Sequence, residues 1–200
     1  KLNVQGKNAQ IKIEVNTITR GNVFPTVLMQ VADSVQDDFD KFAAISVVSL
    51  AELYGGKICA AIDRQHPRDI FDVKLLLDNE GFTDDIWQGV MIGLISHYKP
   101  ISELISPKLK DQKSAFDKQF KGMSSIDFSY DDYEATRAIL INTITRRLTN
   151  NDKKFLLSFE MGEPHWELFP HKVLKDLPAI KWKLLNIRKL KKSQPQKHEQ

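Results

Sequence analysis

A single cysteine, Cys59, among 200 residues excludes an internal disulfide framework and a thiol-rich metal site, and fits a reducing cytosol. No apolar run approaches the ~20 residues needed to cross a bilayer. Stretches such as 45–51 are interrupted by serine. Excess charge is also scarce, because 29 Lys+Arg against 26 Asp+Glu leave a formal net charge of +3, which is no polycation bound to seek nucleic acid. None of the five histidines pairs at i,i+4 or at a short ligand spacing, so a zinc site is not expected. The chain opens Lys1-Leu2-Asn3-Val4, with neither an initiator Met nor a basic-then-apolar leader, and is read as part of a longer protein. With 42% hydrophobic and 28% charged residues and no internal repeat, collagen, coiled-coil and disordered architectures are excluded.

Ile11, Ile13 and Val15 alternate with Lys12, Glu14 and Asn16, the period-two pattern of a half-buried strand over 9–15. A loop over 17–25 and a second strand over 26–35 are expected to follow. Four Asp in 33–40 read as a solvated turn, with a metal site as the alternative. Residues 43–48 read as a buried strand. Ser49 with Glu52 three positions on predicts a capping box and then a helix, whose stripe is Leu50, Leu53, Tyr54, Ile58, Ala61 and Ile62. Gly55-Gly56 inside that helix costs roughly 1 kcal/mol per glycine against Ala, which implies a close approach to the backbone there. Pro67 suits a first helical turn, and Asn79-Glu80-Gly81 ends the helix that follows. Beyond it the spacing predicts helices from Thr83 to His97, between Pro100 and Pro107, over 110–121 and over 131–149. A small α/β part (1–80), an α-helical part (81–192) and a flexible tail (193–200) are expected.

Lys57 emerges from the apolar stripe of its helix, either snorkelling at its edge or aimed into a cleft where phosphate is the natural partner. Asp69 and Asp72 share a helix face, and Arg68 is placed to pair with either or with a ligand anion. Acidic residues in a first turn also offset the helix dipole, and an ion pair from Asp72 to Arg68 or Arg64 is the structural alternative. Cys59, among apolar neighbours, reads as a packed core thiol. Trp166 and Trp182 read as core or subdomain contacts. From Leu177 to His198 seven Lys/Arg occur with no Asp or Glu, either an RNA contact or an amphipathic helix anchored by Leu184, Leu185, Ile187 and Leu190.

The combination Ile11-Lys12-Ile13-Glu14-Val15-Asn16, Glu52-Leu53-Tyr54-Gly55-Gly56-Lys57-Ile58-Cys59-Ala60-Ala61-Ile62-Asp63-Arg64 and Arg68-Asp69-Ile70-Phe71-Asp72-Val73 resembles the AbiEii/AbiGii toxin family of bacterial abortive-infection nucleotidyltransferases, in the polymerase-β-like superfamily. The segments Gly162-Glu163-Pro164-His165-Trp166 and 178–186 are similar to the C-terminal end of such proteins.

The resemblance implies an α+β chain: a partial polymerase-β-like nucleotidyltransferase fold, a small mixed sheet plus helices, followed by an α-helical C-terminal domain. It implies Asp69 and Lys57 as catalytic residues, Lys57, Arg68 and Asp72 as nucleotide-binding, and Glu14 as a metal-site carboxylate. Its cofactors are Mg²⁺ and an NTP substrate, and its other partners an RNA (tRNA among the candidates) or protein acceptor and a cognate antitoxin. A cytoplasmic, phage-defence role without a membrane is expected. The family's first motif, a Gly-Ser-type turn and an Asp-x-Asp pair, does not precede Glu14, so this piece alone is expected to be inactive. The alternative function is a non-catalytic RNA- or protein-binding helical module.

Overall fold

The computed structural model describes residues 1–14 and 21–193 and is mixed α+β, mostly helical. Strands β1 (Leu2–Gln5) and β2 (Gln10–Ile13) form one antiparallel hairpin, with Leu2 opposite Ile13 and Val4 opposite Ile11. The strand expected over 9–15 is thus shorter than its pattern, and Val15 and Asn16 lie outside the described residues. A second antiparallel pair joins β3 (Val27–Gln30) to β4 (Ala44–Val47), with Val27 opposite Val47. Of the expected loop over 17–25, residues 21–25 are neither helix nor strand, and 17–20 lie outside the described residues.

The acidic run is not a turn. It forms helix α1 (Asp33–Phe39), exposed throughout its apolar positions, with Asp33 in the first turn where a carboxylate favours the dipole. The Gln36 amide donates to the Val31 carbonyl at 2.6 Å, and Asp40 ends the helix in the left-handed conformation that Asp tolerates. The expected strand over 26–35 therefore stops at Gln30. The buried strand expected at 43–48 is largely exposed, because the two-stranded sheet leaves it uncovered.

Ser49 caps α2 (Leu50–Arg64), its hydroxyl accepting from the Glu52 amide at 3.2 Å. The other half of the expected capping box is absent: the Glu52 carboxylate instead accepts from the amides of Val23 (2.7 Å) and Phe24 (3.4 Å), fastening the preceding loop to the helix. Helix α3 (Pro67–Asn79) begins at the proline, with His66 as its cap. The remaining helices are α4 (Asp84–Ser96), α5 (Ile101–Ile105), α6 (Lys113–Gln119), α7 (Tyr130–Arg147), α8 (Asn150–Glu160) and α9 (Pro178–Ser193). Short 3₁₀ turns at 166–168 and 172–176 lead into α9. The helix expected over 131–149 ends at Arg147, because Thr149 caps α8 in a reciprocal box with Asp152. Ser193 ends α9, and the rest of the expected tail lies outside the described residues.

The core is one continuous cluster running from Ile58 and Ile62 through Ile70, Met91, Tyr133 and Phe155 to Ile180. Its tightest joint is α2 on α4. A Cβ at Gly55 would overlap the Gly89 backbone, and one at Gly89 would overlap the Ala51 carbonyl. Gly55 thus has the close approach expected of it, whereas Gly56 faces open space. Cys59 is buried beside α4, where burial pushes the thiol up to about 12, so it stays a neutral packing group. Among the described residues no helix is long and apolar enough to cross a membrane.

Candidate functional site

A helix stop followed at once by a helix start creates the site. Gln65 closes α2 in a left-handed conformation (φ 53°), and Pro67 at once starts α3, so both helices meet at a tight corner. Lys57 and Arg64 are two helical turns apart on α2, and Asp69 and Asp72 one turn apart on α3, so each pair presents one face. The structure brings all four together as two cross-helix ion pairs. Lys57 Nζ lies 2.5 Å from Asp72 Oδ2, and Arg64 Nη2 lies 2.7 Å from Asp69 Oδ1. Asp72 therefore takes Lys57, and not the Arg68 or Arg64 that sequence spacing offered. Arg68 is exposed at the first turn of α3, and its amide donates to His66 Nδ1 at 3.2 Å.

The two rungs differ in chemistry. Lys57 and Asp72 are both over one-third exposed (37% and 38%), so their pairing contributes at most about 1 kcal/mol. Asp69 is only 17% exposed, and while Oδ1 is held by Arg64, Oδ2 is buried with no hydrogen-bond partner. An orphaned carboxylate oxygen costs free energy unless a ligand or water completes it. Asp69 also lines a recess of about 350 Å³, together with Arg64, His66 and Arg68. Two arginines and an aspartate thus line one recess, a set suited to an anion.

The corner is locked from behind by residues that sequence reasoning missed. The buried Gln65 side chain donates to the Lys108 carbonyl (2.8 Å) and accepts from the Lys110 amide (2.9 Å), while its own carbonyl accepts from the Tyr133 hydroxyl (2.8 Å). Arg137, also buried, donates to the Lys110 carbonyl at 2.7 Å and to Gln65 Oε1 at 3.3 Å. The one signal in the sequence was Arg137 lying on the apolar stripe of α7 with Tyr133 four residues before it. His66 also reaches across, its Nε2 3.2 Å from Gln119 Oε1.

Glu14 is placed elsewhere. It follows β2 on the exposed hairpin and pairs with Lys1 (3.1 Å) and Lys12 (3.0 Å). Among the described residues no group of three or more His, Cys, Asp or Glu is placed to hold a metal ion. Glu14 therefore stands apart from Asp69 and Asp72 in the ion pairs it makes, and belongs to no such group.

The basic stretch at the C-terminus is largely spent on the fold. Lys183 is buried, donating to the carbonyls of Leu94 (3.2 Å) and Lys99 (3.0 Å) with Glu160 3.8 Å away. Arg188 donates to the Gly162 carbonyl, Lys191 pairs with Glu163, and Lys181 pairs with Asp176. Trp166 packs edge-on against Phe159, as a core contact should. Trp182 and Leu185 do not: Leu184 takes the core side of α9, and both point to solvent.

No curated protein and no solved structure matches the chain. Residues 1–185 match the family model described as "Nucleotidyl transferase AbiEii toxin, Type IV TA system". That description belongs to the toxin half of a pair and so implies a cognate antitoxin. With 185 of its 200 residues matched, the chain belongs to the AbiEii nucleotidyl transferase toxin family.

Proposed function

We propose that the α2–α3 corner is the nucleotide-handling part of a polymerase-β-like nucleotidyltransferase, transferring a nucleotide from an NTP to an RNA (tRNA among the candidates) or protein acceptor. The buried, unpartnered Oδ2 of Asp69 beside an arginine-lined recess is the observation that supports this reading most. Arg64 holds the other oxygen, so the carboxylate is aimed without further ordering cost when the substrate arrives.

In this reading Asp69 Oδ2 accepts the proton of the acceptor hydroxyl as its oxygen bonds to the α-phosphorus. The bond from that phosphorus to the bridging oxygen breaks, and pyrophosphate leaves with the electron pair. Arg68 and Lys57 meet phosphate oxygens; Lys57 reaches them by exchanging Asp72 for the ligand, which its partial exposure permits. Positioning and fixed charge supply most of the acceleration in such transfers. No step is assigned to Mg²⁺. A bacterial cytoplasmic setting and a phage-defence role accompany the proposal.

The test is transfer of label from α-³²P-labelled NTPs to cellular RNA or protein by the intact protein. Lys57→Ala and Asp69→Ala should each abolish transfer while the fold is retained by circular dichroism. Undiminished transfer by both refutes the assignment. A non-catalytic binding module predicts no transfer by any form.

A further inference from the structure

Helix α9 has two faces of different chemistry. Ile180, Lys183 and Leu184 are buried, and Ile187 packs against the core. At 100° per residue, Trp182, Leu185, Lys189 and Lys192 fall within one arc of about 80° on the opposite side. Trp182 is 57% exposed and Leu185 51%, and both lysines are exposed. Asp176 pairs with Lys181 and Glu163 with Lys191. Among the described residues the ammonium groups of Lys189 and Lys192 make no ion pair or hydrogen bond.

We infer that this outward stripe of α9, Trp182-Leu185-Lys189-Lys192, is a contact surface for single-stranded RNA. An exposed aromatic plane with unpaired cations along the same helix face is the pairing such a strand requires. A base stacks on the indole, and phosphates follow the lysines, which begin about 10 Å further along the axis. Charge complementarity selects the polyanion, since two ammonium groups with no partner among the described residues, on an acid-free stripe, gain by releasing counterions from phosphates. A membrane surface fits less well: an interfacial helix needs a broad apolar face, and α9 has its own docked on the core, leaving two apolar side chains outside. The stripe would supply the acceptor side of the transfer proposed above and rests on that reading for its purpose. Its binding is measured without NTP.

The experiment is fluorescence anisotropy of a fluorescein-labelled oligouridylate with the intact protein over a KCl series. The three stripe side chains to be changed are exposed, and melting temperature checks that each variant folds. The double variant Lys189→Ala/Lys192→Ala should bind about tenfold more weakly and lower the log–log salt slope by about 1.4, at roughly 0.7 per phosphate contact. Trp182→Ala should weaken binding by about 5- to 150-fold with the salt slope unchanged. Lys74→Ala, which removes a cation paired with Asp78 on α3, should bind as wild type.

Absence of binding at low salt, or equal affinity of wild type and the double variant, overturns the inference. So does tighter binding to phosphatidylserine vesicles that is lost in the same variants. A protein that binds the oligonucleotide through the stripe but transfers no label refutes the transfer reading alone. Transfer to RNA that is indifferent to the stripe refutes this inference alone.

Discussion

Gly55 and Gly56 are neighbours on one helix yet should respond oppositely to the same substitution. In an exposed helix interior Gly→Ala gains roughly 0.5–1 kcal/mol, from helix propensity and from a less disordered unfolded chain. Gly56 faces open space, so Gly56→Ala should realise that gain and raise the melting temperature by about 1–4 °C for a chain of this size. At Gly55 the same methyl falls within the backbone of Gly89, which cannot rotate away as a side chain could. Helices α2 and α4 must separate, and overpacking of this kind costs about 1–3 kcal/mol or more. Net of the propensity gain, Gly55→Ala should lie roughly 0–2.5 kcal/mol below wild type, at about 2–4 °C per kcal/mol, and below Gly56→Ala throughout that range. Differential scanning calorimetry or urea melts of the two variants beside wild type provide the measurement. A Gly55→Ala protein as stable as Gly56→Ala would refute the close packing of α2 on α4.

The Lys183 ammonium carries a different prediction. Burial holds it down to about 8, although Glu160 and Cys59 pull the other way. The unfolded chain therefore binds more protons between about pH 8 and 10.5, and this group's contribution to stability rises with pH across that window. Lys183→Met should remove that rise, seen as a smaller gain in urea midpoint from pH 8 to 10 than in wild type; an unchanged gain would contradict it. Tyr133→Phe leaves the buried Gln65 carbonyl without its hydroxyl donor and should cost about 1–3 kcal/mol in the same melts. Lys57→Met should cost no more than about 1 kcal/mol of stability, because the Lys57–Asp72 pair is half-exposed, and should instead weaken NTP binding in isothermal calorimetry.

Local signals were legible and register was not. Ser49, Pro67, Thr83 and the Leu/Ile stripes placed α2, α3 and α4 close to their bounds, because capping and 3.6-residue periodicity act within a few residues. The close approach at Gly55 was also readable, since an interior glycine pair needs a reason; Gly56 has none in the structure. Which cation meets which carboxylate was not readable. Lys57–Asp72 and Arg64–Asp69 follow from how α2 and α3 cross, a tertiary quantity that spacing along one helix does not encode. The Gln65 lock joins residues 43 to 72 positions apart, beyond any motif. The adjacent Leu184 and Leu185 could not both face the core, and the packing of Ile180 on the same side as Leu184 left Leu185 and Trp182 outside. Helix α1 formed from an acidic run because Asp33 sits at the favourable dipole end and the other carboxylates are in solvent, where screening weakens their repulsion.

The role proposed for Asp69 is to accept a proton through its free oxygen while Arg64 holds the other. Asp69→Asn keeps the size of the side chain and an oxygen able to face Arg64, but removes the basic atom. In the α-labelled NTP assay with the intact protein, the account predicts transfer reduced by about 10²- to 10⁴-fold with the melting temperature little changed. Transfer at the wild-type rate by Asp69→Asn would contradict it.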